Sequence, residues 1–190
     1  MSAPLRLVSR LAVMTLLAAT PLAAPAQEVG GIDMRGASVR QAEEVYVLDA
    51  VADIRLTPAV RRALDNGVTL TFAWEVEISR ARNWLPDATT AALTQRYAVE
   101  YHALSLQYIV TNRNTGERRS FTRRRIALDF IGTLIGLPLV DAPMIDDPAI
   151  HTGHVRLKLE QDSLPLPLRP QALFNPAWYL RSDWKTWSFE

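Results

Sequence analysis

No cysteine occurs in the 190 residues. That excludes disulfides, thiolate metal sites, a thiol nucleophile and a lipid anchor attached through a lipobox cysteine. Lysine is confined to Lys158 and Lys185, so arginine supplies almost all of the positive charge. Glycine is sparse, and Gly30-Gly31 precedes no strand–helix unit, so no phosphate-cradling glycine loop can be built. No Gly-x-Ser-x-Gly elbow is present, and three histidines alone define no base–nucleophile pair. Internal repeats and low-complexity segments are missing too. So are long apolar runs. Leu11–Ala19 is too short for a bilayer, which takes about 20 apolar residues, and the run from Ile126 to Val140 is interrupted by Asp129 and Pro138.

What is present begins with an export signal. Arg6 and Arg10 precede the short apolar core, and Ala24-Pro25-Ala26 offers a small-x-small cleavage site before Gln27. Cleavage there leaves a chain that does not span the membrane and that is expected in the periplasm. The precursor has 21 basic and 20 acidic residues, and losing the two signal arginines leaves a net charge of −1. Nothing in that balance points to nucleic acid. The organisation read from the chain is a signal peptide over 1–26, a flexible leader over 27–41, and one domain over 42–190. The leader carries Gly30, Gly31 and Gly36 without an apolar period.

Within the domain, period-two alternation dominates. Tyr46, Leu48, Ala50, Ala52, Ile54 and Leu56 form one face of a strand, with Asp49, Asp53 and Arg55 opposite. Thr57-Pro58 predicts a helix N-cap and first turn over 58–66, closed by Gly67. Val68 starts the cleanest strand, with Val68, Leu70, Phe72, Trp74, Val76 and Ile78 on one side and Thr69, Thr71, Glu75 and Glu77 on the other. Arg80 to Asp87 predicts an exposed corner with Trp84 tucked back. Arg96 to Thr111 reads as one long β segment whose parity switches near His102-Ala103, as at a bulge or where a strand changes sheet. A hairpin turn over 112–116 leads to a return strand ending at Phe121. A second helix is expected over 122–136, capped by Thr122 and stopped by Gly136 and Pro138.

Val155, Leu157 and Leu159 alternate with Arg156, Lys158 and Glu160 in a further strand. Pro165, Pro167 and Pro170 then predict an extended, unpaired strap. Trp178, Trp184 and Trp187 in the tail are expected to seal the core. About six or seven strands to two helices predict a mainly β fold, an antiparallel β-sandwich that is immunoglobulin-like in general architecture.

Few side chains cluster in ways that carry chemistry. His151 and His154 stand three apart, a spacing that diverges on a strand, so no metal is assigned. Glu75 and Glu77 are explained by the wet side of a sheet. The strongest electrostatic signal is Arg118, Arg119, Arg123, Arg124 and Arg125. Three of these fall in the predicted first helical turn, where the helix dipole disfavours cations. Guanidinium forks suit phosphate and carboxylate, so anionic lipid headgroups or an acidic partner surface are the ligands this cluster would take. A second stretch, Leu164, Pro165, Leu166, Pro167, Leu168 and Arg169, offers a strap to a partner groove or to the protein's own core. No cofactor and no catalytic set are assigned.

Several stretches together resemble the bacterial domain-of-unknown-function family 4390. They are Ala63 to Val68 (ALDNGV), Arg80, Arg82 and Trp84, Tyr97 to Tyr108 (YAVEYHALSLQY), Arg119-Ser-Phe121, and Leu159 to Arg169 followed by Trp178, Ser182 and Trp184. The resemblance covers roughly residues 42–190. Many members have a second aromatic where this chain has Leu85, and an Asp at or near the position of Glu160. The resemblance implies an exported protein of a Gram-negative envelope with no established activity, often encoded beside a sensor kinase of the nitrogen-regulation type. The function expected is therefore a periplasmic binding module for an envelope protein, such as a sensor kinase's outer domain. A periplasmic hydrolase and an amphiphile- or lipid-binding protein stand as alternatives.

Overall fold

The computed structural model describes residues 30–82, 84 and 88–189. The expected signal peptide and the first residues of the leader lie outside them. Nine strands and three short helices follow one another as β1 (Gly31–Ala42), β2 (Val45–Arg55), α1 (Pro58–Asp65), β3 (Leu70–Arg80), β4 (Ala88–His102), β5 (Gln107–Asn112), β6 (Arg118–Phe121), α2 (Arg124–Ile131), β7 (Thr133–Asp141), β8 (His151–Leu159), α3 (Arg169–Phe174) and β9 (Lys185–Ser188). They build two antiparallel sheets, a three-stranded one in the order β1-β2-β7 and a six-stranded one in the order β6-β5-β4-β3-β8-β9. The protein is an antiparallel β-sandwich.

The core lies between the sheets. Leu48, Ala50, Ala52 and Ile54 from β2 meet Leu70, Phe72, Trp74 and Val76 from β3 and Val155, Leu157 and Leu159 from β8. Each large side chain in it contributes about 1.5–3 kcal/mol through loss of hydrated apolar surface. Trp74 is fully buried, and its indole Nε1–H donates to the Ile131 carbonyl at 2.9 Å, so the polar corner of the ring is satisfied. That bond ties β3 to the end of α2. Because the smaller sheet stops at β7, α2 covers the remaining inner face of the larger one. Phe130 packs edge-on against Tyr97 and beside Phe121, at 6.0 and 5.3 Å between centroids.

Several expectations hold. The β2, β3 and β8 alternation is observed, and the Thr57 hydroxyl caps α1 by accepting from Val60 N–H at 3.2 Å. Others are corrected. Most of the segment read as a flexible leader, 27–41, is strand: β1 pairs along β2 from Gly31↔Arg55 to Ala42↔Val45. A bulge between Met34 and Gly36 flips the parity of the inward residues, from Ile32 and Met34 to Ala37 and Val39, and hides the alternation.

The helix expected over 122–136 covers only Arg124–Ile131. Gly132 O accepts from Ala52 N–H at 2.7 Å, so the ladder to β2 takes over from the helix there. A Cβ on Gly132 would overlap the Ala52 carbonyl oxygen, so glycine lets the two backbones approach. Thr122 is not the cap; Arg123 occupies that position without a side-chain capping bond. Gly136 (φ +64°) is an extra residue in β7 rather than a helix stop, and its N–H donates to Asp49 Oδ1 at 2.7 Å.

The segment 96–111 is two strands joined by a turn at 103–106, not one strand with a bulge. Trp84 is not tucked back but fully exposed. The Leu-Pro stretch is not an extended strap. It forms a 3-10 turn at Leu166–Leu168 and then α3, because prolines near the first position of a helical turn fit its fixed φ. In the tail, Trp178 and Trp187 are buried, whereas Trp184 is partly exposed.

Candidate functional site

One end of the sandwich gathers all three helices. Strand β2 ends there and leads into α1, and β8 ends there at the level where Phe72 pairs with Leu159 and Leu70 with Val99. The Thr57 hydroxyl donates to Ala177 O at 2.8 Å and so fastens α1 to the 3-10 turn Pro176–Trp178. α2 is fastened by charge: Arg124 Nη1 lies 3.0 Å from each oxygen of Asp65, at the end of α1. Tyr108 OH donates to the same carboxylate at 3.1 Å. Burial, followed by the hydrogen bond to Asp65 and that group's charge, pushes the Tyr108 phenol above its ordinary pKa.

Between these pieces lies a cleft of about 540 Å³. Its polar lining is Asp53, Arg55, Arg61, Arg124, Arg125 and Asp129, over an apolar floor of Ile54, Leu56 and Leu128. Asp53 is held by Arg35 at 3.2 Å, and Asp129 by Arg125 at 3.7 Å, one helical turn away. Arg124 is held by Asp65 and Arg125 by Asp129, so an anion entering this cleft of guanidiniums competes with carboxylates that are themselves partly solvated.

The structure divides the five arginines singled out in the sequence. Neighbours in a strand point to opposite faces. Accordingly Arg118 reaches Glu100 on the outer face at 3.5 Å, while Arg119 pairs with Glu117 at 2.8 Å and lies over the Phe130 ring, 5.1 Å from its centroid. Arg123 is exposed at the start of α2. Arg124 and Arg125 line the cleft. Sequence reasoning missed their companions Arg55 and Arg61, which come from the wet face of β2 and from α1. No local spacing links these to residue 124; only the docking of α1 on α2 does.

The strap residues also separate. Leu164 is fully buried, Leu168 is half-buried, and Leu166 stands out in solvent beside Pro165 and Pro167. Arg169 Nε–H donates to Leu164 O at 2.8 Å, which folds the segment on itself.

The two histidines lie on opposite faces of β8. His151 is buried, with its Nδ1–H donating to Asp147 O at 2.8 Å, whereas His154 is on the outer face near Ser79 and Thr186. Among the described residues, no group of three or more His, Asp and Glu side chains gathers as a metal would need. On that outer face Glu75 accepts from Arg156 and Lys158, each at 2.6 Å, and Arg156 stacks on Trp184 at 4.2 Å. Burial alone would raise the Glu75 pKa, but the hydrogen bonds and charges of Lys158 and Arg156 outweigh it and hold the carboxyl below the ordinary range. Among the described residues no helix is long and apolar enough to cross a membrane.

Comparison with curated proteins and with solved structures finds no match. A family model described as Domain of unknown function (DUF4390) matches residues 30–188, and the chain belongs to that family.

Proposed function

We propose that the protein is an exported binding module of the bacterial envelope that grips an anionic group, phosphate or carboxylate, in the cleft between α1, α2 and the end of β2. The observation that carries this reading is the convergence of Arg55, Arg61, Arg124 and Arg125 over the apolar floor of Ile54, Leu56 and Leu128. Guanidiniums bind such groups through paired N–H donors, and a partly dry floor strengthens each contact. The cleft's acids are engaged in ion pairs, and none of its lining residues is a histidine or serine. Retention of the anion is accordingly the reading we take. The signal-like first 26 residues support a periplasmic location, where an acidic surface such as a sensor kinase's outer domain is a fitting partner.

Titration of the protein with phenyl phosphate and with citrate, read from the arginine Nε–H resonances, tests this. Saturable shifts confined to a subset of arginines, lost together in Arg55→Ala and Arg125→Ala, are expected. Shifts that stay linear in ligand, or that survive both substitutions, would overturn the reading.

A further inference from the structure

The same end of the molecule that carries the cleft also carries four strongly exposed apolar side chains; Ile135, 82% exposed, lies away from it on β7. Leu104 and Leu106, in the β4–β5 turn, are 93% and 66% exposed; Leu166 is 73% and Phe174 87% exposed. They stand on three separate projections: the turn, the 3-10 turn Leu166–Leu168 and the last residue of α3. All three projections surround one end, because β4 and β8 both finish there and α1 packs against β4 and against the 3-10 turn Pro176–Trp178. Leu106 has φ +54°, in the left-handed region that a bulky residue adopts at a cost. The turn thus holds a two-thirds exposed leucine on an unfavourable backbone; Trp84 at the far end is likewise exposed at φ +69°, so charge must tell the two ends apart.

Charge distinguishes this end from the other. Around α1 and α2 stand Arg61, Arg62, Arg123, Arg124 and Arg125, with Arg55 beside them, and they outnumber Asp53, Asp65 and Asp129. The far end also bears exposed apolar groups, Trp84 and Met144, but there the acids Glu43, Glu44, Asp141, Asp146 and Asp147 outnumber Arg80 and Arg82. Arginines beside apolar side chains on separate tips suit a medium that is soft and negatively charged. A protein partner would need a matching pocket for each tip, whereas an acyl layer needs none.

We infer that the helical end docks on the surface of an anionic phospholipid bilayer. Leu104, Leu106, Leu166 and Phe174 enter the headgroup–acyl boundary, and the arginine cleft takes a headgroup phosphate. This rests on the anion-binding reading above and names the bearer of the anion. Each arginine near such a surface strengthens adsorption about fivefold at low salt, and added salt screens that gain.

Flotation with phosphatidylcholine vesicles, with and without phosphatidylglycerol, tests the inference. The chain's lack of cysteine allows single labels to report which end is buried. Leu104→Cys, Phe174→Cys and Trp84→Cys, each carrying an environment-sensitive fluorophore, are compared on vesicles. Capture is expected only with phosphatidylglycerol and is weakened by salt. Emission should shift at positions 104 and 174 and stay unchanged at 84. Arg55→Ala with Arg125→Ala should lower partitioning more than about tenfold. Leu104→Ser with Phe174→Ser should abolish most of it while leaving the phenyl phosphate titration unchanged.

Equal capture by neutral vesicles, or a response at position 84 instead, overturns the docking geometry. No capture by either vesicle while phenyl phosphate still binds overturns the lipid assignment alone, and leaves an acidic protein surface as the occupant of the cleft. No phenyl phosphate binding overturns the reading on which it rests.

Discussion

The indole of Trp187 occupies the space that a side chain on Gly153 would fill: a Cβ built there would overlap Cε2 and Cζ2 of the ring. The two residues are paired across β8 and β9, and Trp187 is buried. Glycine at 153 is thus what allows the tail to close one side of the sandwich. Gly153→Ala should expel the indole and cost about 2–4 kcal/mol by overpacking and loss of buried surface. Gly31→Ala, where nothing lies within 4 Å of the added carbon, is the control and should change stability little. Urea unfolding of the two variants decides it. Equal midpoints would mean that the ring does not lie across β8.

Glu75 sets an acid limit on stability. Its folded pKa lies below the ordinary carboxylate value because Lys158 and Arg156 outweigh the effect of burial. A depressed folded pKa stabilises fully above the unfolded value, near 4.5, and that contribution is lost as pH falls through the folded one. The melting temperature should therefore be flat with respect to this group above about pH 5 and fall below about pH 4. Glu75→Gln should cost about 1–2 kcal/mol at neutral pH by leaving two cations without their acceptor, and should flatten part of the acid slope. An acid slope identical in the variant would assign the loss to other carboxyls.

Thr57 does two jobs with one hydroxyl, accepting from Val60 N–H and donating to Ala177 O. Thr57→Val keeps the shape and removes both bonds, which should cost about 1–2 kcal/mol. Thr57→Ser should recover most of that. Denaturant midpoints of the pair separate the hydroxyl's contribution from that of the methyl group.

Asp65 is shared by Arg124 and Tyr108. The Arg124 pair is partly solvated, so Asp65→Asn should change stability by less than about 1 kcal/mol. Two other readouts should move. The Tyr108 phenol should titrate at lower pH, because the hydrogen bond and charge of Asp65 help raise it. Phenyl phosphate should bind a few-fold more tightly, because Arg124 loses a competing carboxylate. Absorbance titration and the arginine resonances give the two answers independently.

β7, one of the two edge strands of the smaller sheet, illustrates why sequence pattern ran out in the second half of the domain. Two irregularities in its pairing with β2 and a proline at 138 break its alternation, devices that also discourage another chain from adding to an edge. The run Ile126–Val140 contains apolar residues at helical spacing, and its first half does form a helix. Its second half becomes strand because β2 is there to pair with it, which is information from residues about 80 positions away along the chain.

The sequence alone determined that this is a β-sandwich, that β2, β3 and β8 have one dry face, and where the first helix begins. These follow from side-chain period and from the Thr57-Pro58 cap, which act within a few residues. Tertiary structure decided that residues 31–42 are strand despite a bulge, that the second helix stops at Ile131, and that Arg55 and Arg61 join Arg124 and Arg125 around one cleft. Each of those outcomes depends on which distant backbone or carboxylate lies opposite, and local spacing does not encode the partner.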